Sequence, residues 1–138
     1  MPGYVVAKLA EALDARQMKG LNGARLLLIG LAYKKNIDDV RESPALKLIA
    51  LLEKRGAAVD YHDPHVPTLP PTREHGAIAG RKSAALTAAA LAAYDAVVIV
   101  TDHDGVDYRL LADHARLIID TRNACRARGC GGPNVVAA

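Results

Sequence analysis

Apolar positions along the chain fall into two rhythms. Over residues 2–17, Val5, Val6, Leu9 and Leu13 recur on one side of a helical repeat, while Lys8, Glu11 and Arg16 point elsewhere. This predicts an amphipathic helix, with Pro2 tolerated in its first turn. KGLNG ends it. Residues 25–29, RLLLI, are a short unbroken apolar run stopping at Gly30, the pattern of a strand covered on both faces. Ser43-Pro44 then sets an N-cap and a proline at the first helical position. The helix it predicts runs over 44–55, with Ala45, Leu48, Ile49 and Leu52 as its buried stripe. Lys54 and Arg55 suit the negative end of the helix dipole, and Gly56 supplies the stop. AVDYH at 58–62 alternates as a second strand. A β-α-β unit of this kind makes its two strands parallel, with a right-handed crossover.

The rest of the chain continues the alternation. Residues 63–81, rich in proline, glycine and charge, read as a surface loop with a short strand near Ala77–Ile78. SAALTAAALAA at 83–93 predicts a helix capped by Ser83. A third strand is predicted at 95–100, a short helix at 107–115 and a fourth strand at 116–120; beyond Asn123 only a tail is expected. The class is therefore α/β, a Rossmann-like three-layer sandwich with a mainly parallel sheet, preceded by one amphipathic helix.

Composition narrows the classes of function. At 138 residues the chain is one domain by size, and its core must be aliphatic, since there is no Phe or Trp. A net charge of +3 is too small and too scattered for a nucleic-acid surface. No apolar run approaches the roughly 20 residues of a membrane span, and charged residues interrupt the first helix too early for a signal peptide. Cys125 and Cys130 form no C-x-x-C pair and have no histidine at zinc spacing; they read as reduced thiols of a cytoplasmic protein. The histidines fit no metal pattern and are expected in loops, exposed to solvent.

In a parallel α/β sheet, ligands bind outside the carboxyl ends of the strands. Gly30, Tyr33, Lys34 and Lys35 follow the first strand; His62, Asp63 and His65 the second; Thr101, Asp102 and His103 the third; Asp120, Thr121, Arg122 and Asn123 the fourth. Parallel strands would bring Lys34 and Arg122 to one crevice, where two cations could hold a diphosphate. The competing reading is a solvated loop, with Asp38, Asp39 and Glu42 simply pairing with Lys34, Lys35 and Arg41. The turn after the first strand has a tyrosine and two lysines where a dinucleotide fingerprint would place glycines. The residues by themselves point to an anion- or nucleotide-binding α/β domain.

The ordered set GLAYKKNIDDVRESPALK, DPHVP, YDAVVIVTDH and IIDTRN resembles the C-terminal domain of the nucleotide-sugar 6-dehydrogenases, the UDP-glucose/GDP-mannose dehydrogenase family. The likeness covers about residues 1–125. It implies three segments: 1–22, the end of a central dimerisation helix and its linker; 23–125, a UDP-binding substrate domain; and 126–138, a C-terminal tail. It also implies roles. Lys34 and Tyr33 would contact the UDP-sugar, Arg122 would lie near its nucleotide, and Arg41 would reach the NAD pyrophosphate across a domain interface, with Asp38 and Asp39 orienting Arg41 or capping the loop.

Family members oxidise the C6 alcohol of a nucleotide-sugar to a carboxylate in two NAD-dependent steps, supplying polysaccharide precursors. The implied partners are a UDP-sugar, the N-terminal and central domains of the same enzyme, and a second subunit in a homodimer; nucleic acid and membrane are not among them. The family's glycine fingerprint and cysteine motif are missing here, so the 138-residue chain is expected to be inactive alone, with no catalytic residue of its own. The alternative is a stand-alone nucleotide-binding or interaction module without catalysis. The apolar stripe of the first helix either folds back on the domain or pairs two chains.

Overall fold

The computed structural model describes residues 2–41, 43–71 and 78–138. Its sheet has five parallel strands, β1 (Arg25–Ile29), β2 (Ala58–His62), β3 (Ala96–Ile99), β4 (Ile118–Asp120) and β5 (Val135–Ala137), in the order β2-β1-β3-β4-β5. Five helices accompany them: α1 (Pro2–Gln17), α2 (Pro44–Lys54), α3 (Ala88–Ala93), α4 (Tyr108–His114) and α5 (Ala124–Ala127). Alternate residues of the central strands face two separate apolar layers. Leu26, Leu28, Val98 and Ile119 pack under α1 and α2; Leu27, Ile29, Val97, Ile99 and Ile118 pack under α3, α4 and α5. That is why RLLLI reads as an unbroken apolar run: both faces of β1 are covered.

The first β-α-β unit forms as its punctuation predicts. Ser43 is extended (φ −69°, ψ 132°) and its Oγ accepts the Ala45 amide at 3.1 Å, so α2 begins at Pro44. The stripe of α1 folds back onto the domain. Val6, Leu9 and Leu13 are buried with Leu21 in the same core as α2, each worth about 1.5–3 kcal/mol if taken wholly out of water. Beyond the helix, Lys19 pairs with Asp95 at 2.8 Å, and Asp95 also accepts the Arg25 amide at 2.8 Å. The linker is thus fastened to the start of β1 and to the turn before β3.

Three expectations are corrected. The third helix starts at Ala88, not near residue 83, and its cap is Thr87, whose Oγ1 accepts the Ala90 amide at 3.0 Å. Ser83 is engaged elsewhere: its Oγ accepts the Asp63 amide, and the neighbouring Ala84 amide donates to Tyr61. These bonds hold the segment extended along the end of β2. The strand expected near Ala77–Ile78 is absent at Ile78, whose carbonyl accepts the Arg81 amide across a tight turn, while Ala77 lies outside the described residues. Finally, the segment expected as a tail after Asn123 folds into α5 and β5. Asn134 makes the docking possible by donating to the carbonyls of Ala112 and Ala115, which α4 leaves unpaired at its end. Among the described residues, no helix is long and apolar enough to cross a membrane.

Candidate functional site at the carboxyl edge of the sheet

Strands β1 and β3 are adjacent, but the chain leaves β1 toward β2 on one side and returns to β3 on the other. Their carboxyl ends therefore form the topological switch point where ligands enter open α/β sheets. The first turn there is unusually tight. Gly30 has φ +86°, and a Cβ on it would stand 2.4 Å from the Thr101 carbonyl oxygen and 2.6 Å from Thr101 Cβ. Thr101 in turn donates from Oγ1 to the Ala32 carbonyl at 2.8 Å. The glycine serves strand-to-strand contact, and its space is already filled.

Beyond this contact the turn rises to the surface. Tyr33 is half exposed, and the Lys34 ammonium lies 6.0 Å from the centre of its ring. Among the described residues Lys34 has no carboxylate partner, whereas Lys35 lies 3.6 Å from Asp104. The Tyr33 amide donates to the Asp39 carbonyl at 2.7 Å, which folds the following loop back on the turn. Asp39 holds Arg41 through both Nε (3.1 Å) and Nη2 (3.0 Å) and also accepts the Arg41 amide. The Arg41 side-chain hydrogen bond, then the amide, keep the Asp39 carboxyl below the usual range. Asp39 therefore orients Arg41; Glu42 lies outside the described residues.

Arg122 is placed from below. Asp120, almost fully buried at the end of β4, accepts three backbone amides at 3.0 Å: Arg122 and Ala124 on Oδ1, Cys125 on Oδ2. Asn123 between them adopts the left-handed conformation at φ 56°. The Arg122 side chain then crosses toward the next strand, and its Nε donates to the Val100 carbonyl at 3.0 Å. The guanidinium is thus fixed at the end of β3, one strand from the turn that carries Lys34. A cleft of about 460 Å³ opens beside it, lined by Thr121, Arg122, Asn123, Arg126 and β5 residues including Val135 and Ala137. Tyr33 and Lys34 are not in its lining; they stand along the same edge, over β1. Arg41 stands further out, before α2.

Two polar residues of the edge, Asp63 and His103, had no role assigned from the sequence. Asp63 and His103, both fully buried, form a 2.9 Å pair, and Asp63 Oδ2 also accepts the amides of Leu31 (2.7 Å) and Ala32 (3.3 Å). His103 thus departs from the expectation of exposed loop histidines. The two cysteines are engaged inside the fold. Burial, with the nearby Asp120 charge, pushes the Cys125 thiol up to about 12, and Cys130 donates to the Cys125 carbonyl. Among the described residues no group of three metal-ligating side chains comes together.

Residues 27–127 match the UDP-glucose/GDP-mannose dehydrogenase family, UDP binding domain. This chain belongs to that family. A UDP-N-acetyl-D-mannosamine dehydrogenase from Pyrococcus horikoshii is 32% identical over 128 residues, 89% of this chain and 27% of that protein. A UDP-glucose 6-dehydrogenase from Rickettsia typhi is 41% identical over 63 residues, 46% of this chain and 14% of that protein. The solved UDP-D-ManNAc dehydrogenase of Pyrococcus horikoshii matches with a TM-score of 0.68 at 30% identity, over 89% of this chain and 27% of that one. An NDP-N-acetyl-D-galactosaminuronic acid dehydrogenase structure from Methanosarcina mazei shares the fold, with a TM-score of 0.71 at 24% identity over 99% of this chain and 28% of that one. The chain spans under a third of the length of each of these relatives, and the part it spans corresponds to the family's UDP-binding domain.

Proposed function

We propose that this chain is the substrate-nucleotide domain of an NAD-dependent nucleotide-sugar 6-dehydrogenase, in which Lys34, Tyr33 and Arg122 grip the UDP portion of a UDP-sugar. The observation that carries the reading is the pair of cations at one sheet edge: Lys34, exposed and without a carboxylate partner among the described residues, and Arg122, exposed and anchored through Nε to the Val100 carbonyl. A planar fork and a point charge suit a diphosphate, and a half-exposed tyrosine suits a flat or apolar ligand surface.

The β1 turn does not fit a dinucleotide cradle, because Tyr33, Lys34 and Lys35 stand where a glycine fingerprint would let backbone approach a pyrophosphate, and Gly30 serves the contact with Thr101. NAD therefore belongs to another domain of the enzyme, and Arg41, on its exposed loop, is the contact this chain would lend it. Alone the chain turns over no substrate: burial raises the Cys125 thiol, and the Cys130 thiol is spent on the Cys125 carbonyl. Its partners in this reading are the N-terminal and central domains of the same enzyme and a second subunit.

Calorimetric titration of the chain with UDP and with NAD tests the proposal. UDP should bind more tightly than NAD. Lys34→Ala and Arg122→Ala should each weaken UDP about tenfold or more, the loss of one charge-assisted contact worth about 1.5–3 kcal/mol. NAD binding tighter than UDP, or UDP affinity unchanged in both variants, refutes it. Lack of any nucleotide binding favours an interaction module instead.

A further inference from the structure

The turn that carries Lys34 is fastened at both ends by one buried pair. At its start, Leu31 and Ala32 donate their amides to Asp63 Oδ2. At its end, the Asn36 amide donates to His103 Nδ1 at 2.7 Å. The imidazole and the carboxylate are joined at 2.9 Å, and neither side chain is exposed at all. Only Tyr33, Lys34 and Lys35 lie between the two anchors. Because Nδ1 accepts an amide proton, the proton of the neutral ring is on Nε2 and points at Asp63.

The fastening is over-determined around the histidine. Its own carbonyl accepts the Tyr108 hydroxyl at 2.7 Å, and the His65 ring packs 4.7 Å away, its amide bound to Asp63 Oδ1 at 2.8 Å. Asn36 sits in the left-handed region at φ 64°, a conformation asparagine adopts more readily than other non-glycine residues. Its side chain exchanges two bonds with Asp104, one to the carboxylate at 2.7 Å and one from the amide at 2.9 Å.

We propose that His103 is a positioning residue for nucleotide recognition: its Nδ1 sets the end of the β1 turn and so aims Lys34 outward, while Asp63 fixes the tautomer that lets it do so. This rests on the reading of Lys34 as a nucleotide contact.

Two substitutions separate the two ring nitrogens. In His103→Asn the amide oxygen takes the place of Nδ1 and keeps the Asn36 bond; in His103→Gln the amide nitrogen takes the place of Nε2 and keeps the Asp63 bond. His103→Asn gives up the buried bond to Asp63 and His103→Gln the part-buried bond to Asn36, so a purely structural histidine would make His103→Asn the more damaged of the two. The proposal expects amide exchange at Asn36 in the ligand-free chain to rise about tenfold or more in His103→Gln and to stay near wild type in His103→Asn. UDP affinity should follow, falling about tenfold only in His103→Gln.

Equal exchange at Asn36 in both variants, or equal UDP affinities where the wild type binds, overturns the proposal. A wild-type chain that binds no UDP, with Asn36 still released only in His103→Gln, supports the turn-setting role and overturns the nucleotide reading beneath it. Should either variant fail to fold, the imidazole nitrogens of the unsubstituted chain decide by NMR. A proton on Nε2 alone supports the role, and a proton on Nδ1 overturns it.

Discussion

Asp120 is the residue whose replacement should couple stability to the candidate site most directly. Its carboxylate accepts the amides of Arg122, Ala124 and Cys125, all at 3.0 Å. Ala124 and Cys125 are fully buried, so in Asp120→Ala their N–H groups lose a charged acceptor with no water to replace it. The Arg122 amide is at the surface and can be rehydrated. Two orphaned donors at about 1–3 kcal/mol each give a cost of about 2–6 kcal/mol, a large part of the 5–15 kcal/mol that holds an ordinary domain together.

Asp120→Asn should cost about half as much. The amide oxygen can keep the two donors on the Oδ1 side, but the NH₂ group then faces the Cys125 amide, donor against donor. Urea unfolding followed by circular dichroism measures both variants against wild type. UDP titration of the same samples should show weakened binding in step, since Arg122 reaches its place only through this loop. Asp120→Asn more stable than wild type would refute the reasoning, because burial of an uncompensated charge, and not loss of an acceptor, would then be the larger effect. So would Asp120→Ala within about 0.5 kcal/mol of wild type, the range of an ordinary surface change.

Other expectations are independent of that loop. Gly30→Ala combines φ +86° with a Cβ 2.4 Å from the Thr101 carbonyl and should cost about 3–5 kcal/mol in urea unfolding; Gly129→Ala, at φ 72° with nothing within 4 Å, carries the backbone strain alone and should cost about 1–2 kcal/mol. Leu9→Ala on α1 should cost about 2–5 kcal/mol, since Leu9 is fully buried in the main core; a cost under about 1 kcal/mol would mean that α1 does not pack on the domain in solution. Burial raises the pKa of Asp95, but the Lys19 hydrogen bond, the Arg25 amide and the charges of Lys19 and Arg116 outweigh it and hold the carboxyl below its ordinary 3.8. The unfolded chain then takes up the proton first. The stability Asp95 contributes is whole above about pH 4 and is lost as pH falls through the lower folded value. Asp95→Asn should accordingly flatten the acid limb of a stability–pH curve measured by thermal melting, and an unchanged limb would refute the assignment.

How much of this could be read in advance follows from where each decision is made. The β1-α2-β2 unit was legible because its signals are local: a serine and proline start α2, a glycine ends it, and one helix face is apolar. The third helix was misplaced because SAALTAAALAA has uniform helix propensity, and its start is decided by bonds from Asp63 and Ala84 that draw residues 83–84 onto β2. β5 was missed because three residues after GGPN carry little pattern, and a single asparagine closing the end of α4 makes them a strand. With β5 went the cleft beside Arg122, one wall of which is made by Val135 and Ala137.

The polar residues after the strands show the same limit more sharply. Lys34, Arg122, Asp63 and His103 all occupy the first few positions beyond a strand, and position alone cannot sort them. Lys34 is exposed because its neighbours in sequence are the middle of a turn; His103 is buried because a residue 40 positions earlier and another 67 positions earlier close over it. A charge that stays in water is free to meet a ligand. A histidine enclosed between a carboxylate and a backbone amide has both ring nitrogens committed and can act only through what it holds. The division between exposed and enclosed polar groups at this edge is therefore set by tertiary pairing, although every residue involved stands in plain view after a strand.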